Sequence, residues 1–199
     1  MLVVITAEVF FTDEIFQIKQ LIDLGLKTVH IRKPKASYSE LKSWFQEFEP
    51  QYLAAMMLHQ HHTLVEEFCC KGMHFKEKQR NVQAHTFKSK VKILKNKGFQ
   101  VSTSFHEINE LKVHAALFDY CFLSPVFKSI SKTGYEGKLF EVHDISQKII
   151  ALGGITSEKI AKVHQRGFSG VAVLGAIWLS EKPIDAFTKI KRDYENTFK

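Results

Sequence analysis

Apolar residues along this chain arrive in short runs, separated by longer stretches that are apolar on one face only. The runs are residues 2–5, 28–31, 52–58, 72–75, 100–104, 119–123, 149–152 and 171–174, and each predicts a strand. Several lack a polar side altogether, as strands covered on both faces do. The stretches between them read as helices. Ile15, Ile18 and Ile22 recur at helical spacing behind Thr12, Asp13 and Glu14, which suit a helix start, and Gly25 suits its end. Ser37 and Glu40 form a capping box ahead of a stripe of Leu41, Trp44, Phe45 and Phe48. Further helices are expected at 64–70, within 81–98, from Glu107, from Thr156-Ser157-Glu158, and over 183–197 with Ile184, Phe187, Ile190 and Tyr194 on one face.

Strands alternating with helices predict a parallel sheet of the α/β class. Eight of them predict a closed (β/α)8 TIM barrel, one domain over residues 1–199, near the short end of the size range. An open doubly wound sheet would need a G-x-G-x-x-G turn after the first strand. Thr6-Ala7-Glu8 stands there instead.

Composition narrows the setting. With 199 residues and 45% apolar content, the chain is long enough and oily enough to bury a core. No stretch approaches the length of a membrane span, and the start reads as a strand rather than a signal peptide. Cys69, Cys70 and Cys121 are odd in number and two are vicinal, so they read as small core residues in a reducing cytoplasm. The net charge of +7 raises nucleic acid as a partner. Yet the densest group, Lys88, Lys90, Lys92, Lys95 and Lys97, falls on an expected helix with no interleaved aromatics. It reads as a solvated face, and the charge suits a phosphorylated substrate.

Chemistry gathers where strands end. Gly153-Gly154 follows the seventh strand and Leu174-Gly175 the eighth. Glycine lets main-chain N–H groups close around an anion, a helix start adds partial positive charge, and barrels commonly seat a phosphate after these two strands. Such glycines also serve simply as tight turns. His30 and Arg32, His59 to His62, His74, Ser104 and His106, and Ser124 occupy the ends of strands two to six. His59 and His61, two apart on an extended strand, would share a face and raise a metal site. Carboxylates that a hydrolytic metal would want are few there, Glu8 and Glu77, and no metal residue is assigned. Loop 124–142 offers Ser129, Ser131 and Lys132, groups suited to a diphosphate.

These pieces together resemble thiamine-phosphate synthase and its TenI-like relatives, nearly end to end. The carrying segments are Val29-His30-Ile31-Arg32, Gly72-Met73-His74-Phe75, Ser104-Phe105-His106 with Glu110, and Asp119-Tyr120 through Phe127. Ser129-x-Ser131-Lys132, Ala151 through Ile155 and Gly170 through Ile177 complete them. The resemblance implies a transferase that joins hydroxymethylpyrimidine diphosphate to a thiazole phosphate and releases pyrophosphate. It implies that Arg32, Ser129, Ser131 and Lys132 hold the diphosphate, that Ser104 stands near the reacting centre, and that Gly153, Gly154, Leu174 and Gly175 bind the thiazole phosphate. His30, His59, His74 and His106 are expected to face substrate. Magnesium is implied as well, but where the family carries its two aspartate ligands this chain has Gln60 and Gln79. Pro34 stands where the family has a lysine.

The TenI-like branch implies a second activity, tautomerisation of the thiazole phosphate by an acid-base group. The histidine that serves there falls at Pro125 here, so His30, His59, His74 or His106 would take the role. A third reading is a silent protein that binds a thiazole or thiamine phosphate. A homodimer is implied by the resemblance alone.

Overall fold

The computed structural model describes residues 1–81, 84–128 and 137–199. Eight strands follow one another in sequence order around a closed parallel barrel, as expected. Residues Val4–Val101 form one compact unit, and Met1–Val3 with Ser102–Lys199 form another. Among the described residues, no helix is long and apolar enough to cross a membrane.

In the first unit, β1 (Leu2–Ile5), β2 (Val29–Ile31), β3 (Met56–Leu58) and β4 (Gly72–Phe75) pair in parallel. Helix α1 (Glu14–Asp23) buries Glu14, Ile18 and Leu21. That stripe is offset from the expected Ile15, Ile18 and Ile22, because the Glu14 carboxylate turns inward to Lys33. Gly25 closes the helix at φ 99°, a backbone state that costs glycine nothing. Helix α2 (Tyr38–Phe45) starts on the expected capping box. The Glu40 amide donates to Ser37 Oγ at 3.2 Å and the Ser37 amide to Glu40 Oε2 at 2.8 Å. Its apolar stripe packs Trp44 against Phe45 and Phe48, with ring centroids 5.5 and 4.8 Å apart.

The third strand is shorter than residues 52–58. Pro50 sits in the first turn of α3 (Pro50–Leu53), where its fixed φ favours helix, and the extended run begins only at Met56. Helix α4 (Thr63–Glu67) likewise stops short of Cys70, since Cys69 takes φ 51°. Cys69 is exposed, against expectation, whereas Cys70 and Cys121 are buried. Next come α5 (Glu77–Asn81) and α6 (Ala84–Asn96), whose Lys88, Lys90, Lys92 and Lys95 are exposed, as is Lys97 just beyond.

Gly72 meets the chain closely. A Cβ there would lie 1.9 Å from the Gln100 carbonyl oxygen, at the head of β5 (Gln100–Phe105). Gly72→Ala must push these strands apart, and we expect about 1–3 kcal/mol of lost stability, read as a lower urea midpoint.

In the second unit, β5 pairs with β6 (Tyr120–Leu123), β6 with β7 (Ile149–Leu152), and β7 with β8 (Gly170–Val173). Helix α7 (Ile108–His114) begins beyond Glu107. A 3-10 turn (Ser157–Lys159) precedes α8 (Ile160–Gln165), so the helix expected at Thr156 opens tightly. Leu174 leaves the strand at φ −136°, ψ −77° and caps the single turn α9 (Gly175–Trp178). Helix α10 (Pro183–Thr197) has the expected span and buries Phe187 and Ile190.

Candidate active site

In β2 to β4 the register decides which side chains meet. Ile31 pairs with Leu58, and Leu58 with Met73. The next step along β3 and β4 therefore sets His59 beside His74. Their rings stack with centroids 4.1 Å apart. His30, one strand over, stands edge-on to both, at 5.1 and 5.3 Å. Its Nδ1 lies 2.9 Å from His59 Nε2. All three are buried, at 0%, 5% and 2% exposure for His30, His59 and His74. Burial penalises the imidazolium and is the largest cause of their shifts. It holds His30 and His59 well below the ordinary histidine range and brings His74 down to about 3. His62, its Nε2 3.2 Å from the His74 carbonyl, is lowered by burial to about 4.

His61 does not join this group. The strand ends at Leu58 and the chain turns at His61 with φ 51°, sending the ring to the Ala36 carbonyl at 2.9 Å. The two-apart argument for His59 and His61 fails because it assumed extended backbone.

Arg32 anchors its backbone amide on Thr6 Oγ1 at 2.9 Å and its Nη1 on Glu8. Lys33 is wholly buried, with Nζ 2.5 and 2.7 Å from the two oxygens of a buried Glu14 and 2.8 Å from the Val9 carbonyl. Phe10 and Trp44 flank the ammonium. Burial pushes the Glu14 carboxyl up and the Lys33 ammonium down, and their mutual hydrogen bond opposes both shifts. This pair was missed in the sequence. Its one signal was a carboxylate at the head of an apolar helical stripe.

Gln60 donates its Nε2 to the Lys33 carbonyl, and its buried Oε1 has no hydrogen-bond partner among the described residues. Gln79 Oε1 accepts the Lys76 amide at 2.9 Å. Two amides, one of them already engaged through oxygen, supply no charge to a magnesium ion. The residues present do not fit that ion.

In the second unit, Ser104 lies on β5 opposite Phe122. His106 is exposed, and its Nδ1 lies 3.0 Å from the Ser124 carbonyl and 3.3 Å from Ser124 Oγ. After β7, Gly153 and Gly154 take φ 100° and 62°. A Cβ on Gly153 would lie 2.9 Å from Pro125 Cα, and one on Gly154 2.1 Å from the Lys128 carbonyl oxygen. Backbone bonds from Val126 to Leu152 and from Phe127 to Gly153, both 3.0 Å, hold this contact. Lys159 Nζ donates to the Gly154 carbonyl at 2.8 Å, a partner the sequence reading did not anticipate. After β8, the amides of Ile177 and Trp178 return to the Leu174 carbonyl. Those of Gly175 and Ala176 come before any intrahelical partner, as first-turn amides do. Ser129, Ser131 and Lys132 lie outside the described residues.

Barrels of this build keep their chemistry at the carboxyl ends of their strands, and this one is a (β/α)8 enzyme of the transferase class. The family model for thiamine monophosphate synthase (TMP-TENI) matches residues 2–177. The chain belongs to that family, and with it to thiamine biosynthesis. It is similar to a thiamine-phosphate synthase of Bacteroides fragilis, 22% identical over 187 residues that cover 86% of this chain and 89% of the relative. The solved structure of a thiamine phosphate pyrophosphorylase from Bacteroides thetaiotaomicron is 26% identical, covers 98% of this chain and 97% of its own, and superposes with a TM-score of 0.75. One from Pyrococcus furiosus, 16% identical over 100% of this chain and 96% of its own, shares the fold with a TM-score of 0.79.

Proposed function

We propose that this chain joins a hydroxymethylpyrimidine diphosphate to a thiazole phosphate with release of pyrophosphate. The observation that carries the reading is the pair of turns after β7 and β8. The first has two glycines at positive φ, and the second sets Gly175 at a helix start. Main-chain amides at Gly153, Gly154, Leu174 and Gly175 suit a phosphate. Arg32, with Nη1 on Glu8, keeps further N–H donors for a diphosphate. In the reaction that the family resemblance implies, the bond from the pyrimidine methylene to the diphosphate oxygen breaks first. The pair of electrons leaves with pyrophosphate, and the thiazole nitrogen then closes the new C–N bond. Such a path needs charge stabilised on the leaving group more than it needs a base. By resemblance Arg32, Ser129, Ser131 and Lys132 serve that need, and Ser104 stands where the family keeps a serine near the reacting centre. Lys33 is spent on Glu14 and takes no part.

Purified protein supplied with both substrates is expected to release pyrophosphate. Gly154→Ala, which would drive a Cβ into the Lys128 carbonyl, is expected to lower kcat/KM by about 10- to 100-fold, mostly through KM for the thiazole phosphate. Absence of release, with proton exchange on the thiazole phosphate alone, would replace this reading with the tautomerase. His106 favours that second reading over the buried histidines. It is exposed, and with Nδ1 directed at the Ser124 carbonyl its Nε2 remains to exchange a proton. Neither activity, with tight binding of the thiazole phosphate, would leave a binding protein.

A further inference from the structure

Three imidazoles carried by adjacent strands are unusual when no carboxylate accompanies them. His30, His59 and His74 each bring one ring nitrogen to within 4.8 Å of the other two. His30 Nδ1 and His59 Nε2 are 2.9 Å apart. Tetrahedral zinc, with Zn–N bonds of about 2.0–2.1 Å, separates its nitrogen ligands by about 3.3 Å. One pair at 2.9 Å and none beyond 4.8 Å leave the three nitrogens within reach of that separation through small ring rotations. The backbone already fixes the ring origins, because two are strand residues and the third follows its strand directly.

We propose that His30, His59 and His74 form a three-imidazole site for a divalent transition-metal ion of the zinc or cobalt type, with one position open to water or a ligand.

The donor set selects the metal. Neutral imidazole suits zinc, cobalt, nickel and copper, whereas magnesium and calcium want charged oxygen. Burial keeps the three rings neutral near pH 7, so protons do not compete for their lone pairs. The surroundings set the strength. Arg32, Lys71 and Lys76 act on the cluster as cations, and His62 lies against the His74 backbone. Arg32 is offset by Glu8. The group itself is imidazole only, without a carboxylate ligand to lend it negative charge. The neighbouring cations weaken the site for a metal ion, which the neutral donors do not offset with charge. The inference stands apart from the synthase reading, since its readout is metal binding and not turnover.

Metal-stripped wild-type protein titrated with Co2+ should develop the visible d–d bands of a four-coordinate ion, saturating at one equivalent, and Zn2+ should bleach them. His59→Ala and His74→Ala should each weaken binding by about 10- to 100-fold. His143→Ala, at an exposed ring elsewhere, should leave the titration curve in place. A wild type that develops no bands, or variants at His59 and His74 that bind as the wild type does, would overturn the site. Should those variants fail to fold, X-ray absorption on zinc-loaded wild type decides. Three imidazole nitrogens at about 2.0 Å support the site. A sulfur ligand, or fewer than three imidazoles, overturns it.

Discussion

Moved from pH 7.5 to about pH 5.5, the metal-free protein should lose about 5 kcal/mol of folding stability. The cause is the burial of His30, His59 and His74. In the unfolded chain each imidazole binds a proton near its ordinary value of 6.5, and in the fold that value is depressed. The unfolded state then holds more protons throughout the window between the two values, so stability rises with pH there. The contribution is fully present above 6.5 and drains away as pH falls toward the folded values, about 3 for His74. One pH unit below the ordinary value, the three rings together cost about 4 kcal/mol, and His62, lowered by burial to about 4, adds about 1 more. The Met1 ammonium, lowered from 8.0 to about 6 mainly by burial, acts in the same direction between those values and adds to the loss. Glu14, raised by burial, acts in the opposite direction. Against a total of about 5–15 kcal/mol, the loss is large enough to see as a falling urea midpoint. A midpoint that stays level between pH 7.5 and 5.5 would mean that the rings accept protons inside the fold.

Glu14→Ala should cost about 3–5 kcal/mol of folding stability. It strands the Lys33 ammonium at 0% exposure, with the Val9 carbonyl and two aromatic faces for company. The charge would have to be stripped of its proton or the loop would have to open. Replacing both partners, as Glu14→Leu with Lys33→Met, should recover most of the loss, because two apolar side chains of similar size carry no desolvation cost. Chemical denaturation of the two singles and the double closes the cycle. A Glu14→Ala loss below about 1 kcal/mol, the range of an exposed pair, would show that water reaches this lysine in solution.

The barrel was legible because parallel strands buried on both faces leave dense apolar runs, and the capping box at Ser37 and the proline at 183 mark helix starts by local chemistry. The places where reading failed are those where a distant partner outweighs local pattern. Glu14 counted as a helix-start carboxylate, and Lys33 took it inside. Tyr52 and Leu53 looked extended, and they close the helical turn that Pro50 opens. His61 looked like the partner of His59 until the strand ended one residue before His59. The grouping of His30, His59 and His74 depends on register across three strands, which no single run of residues reveals. Gly153 and Gly154 were legible as a pair, but not their contact with Pro125 and Lys128, which lies between segments far apart in the chain.

That contact has a consequence for redesign. With Pro125 Cα and the Lys128 carbonyl where side chains would start, mutation has almost no purchase on the turn after β7. Any larger residue at Gly153 or Gly154 changes this corner only by dislodging the neighbouring segment. A redesign that reshapes the ligand end of this turn has to move the neighbouring segment along with it, not swap a single side chain.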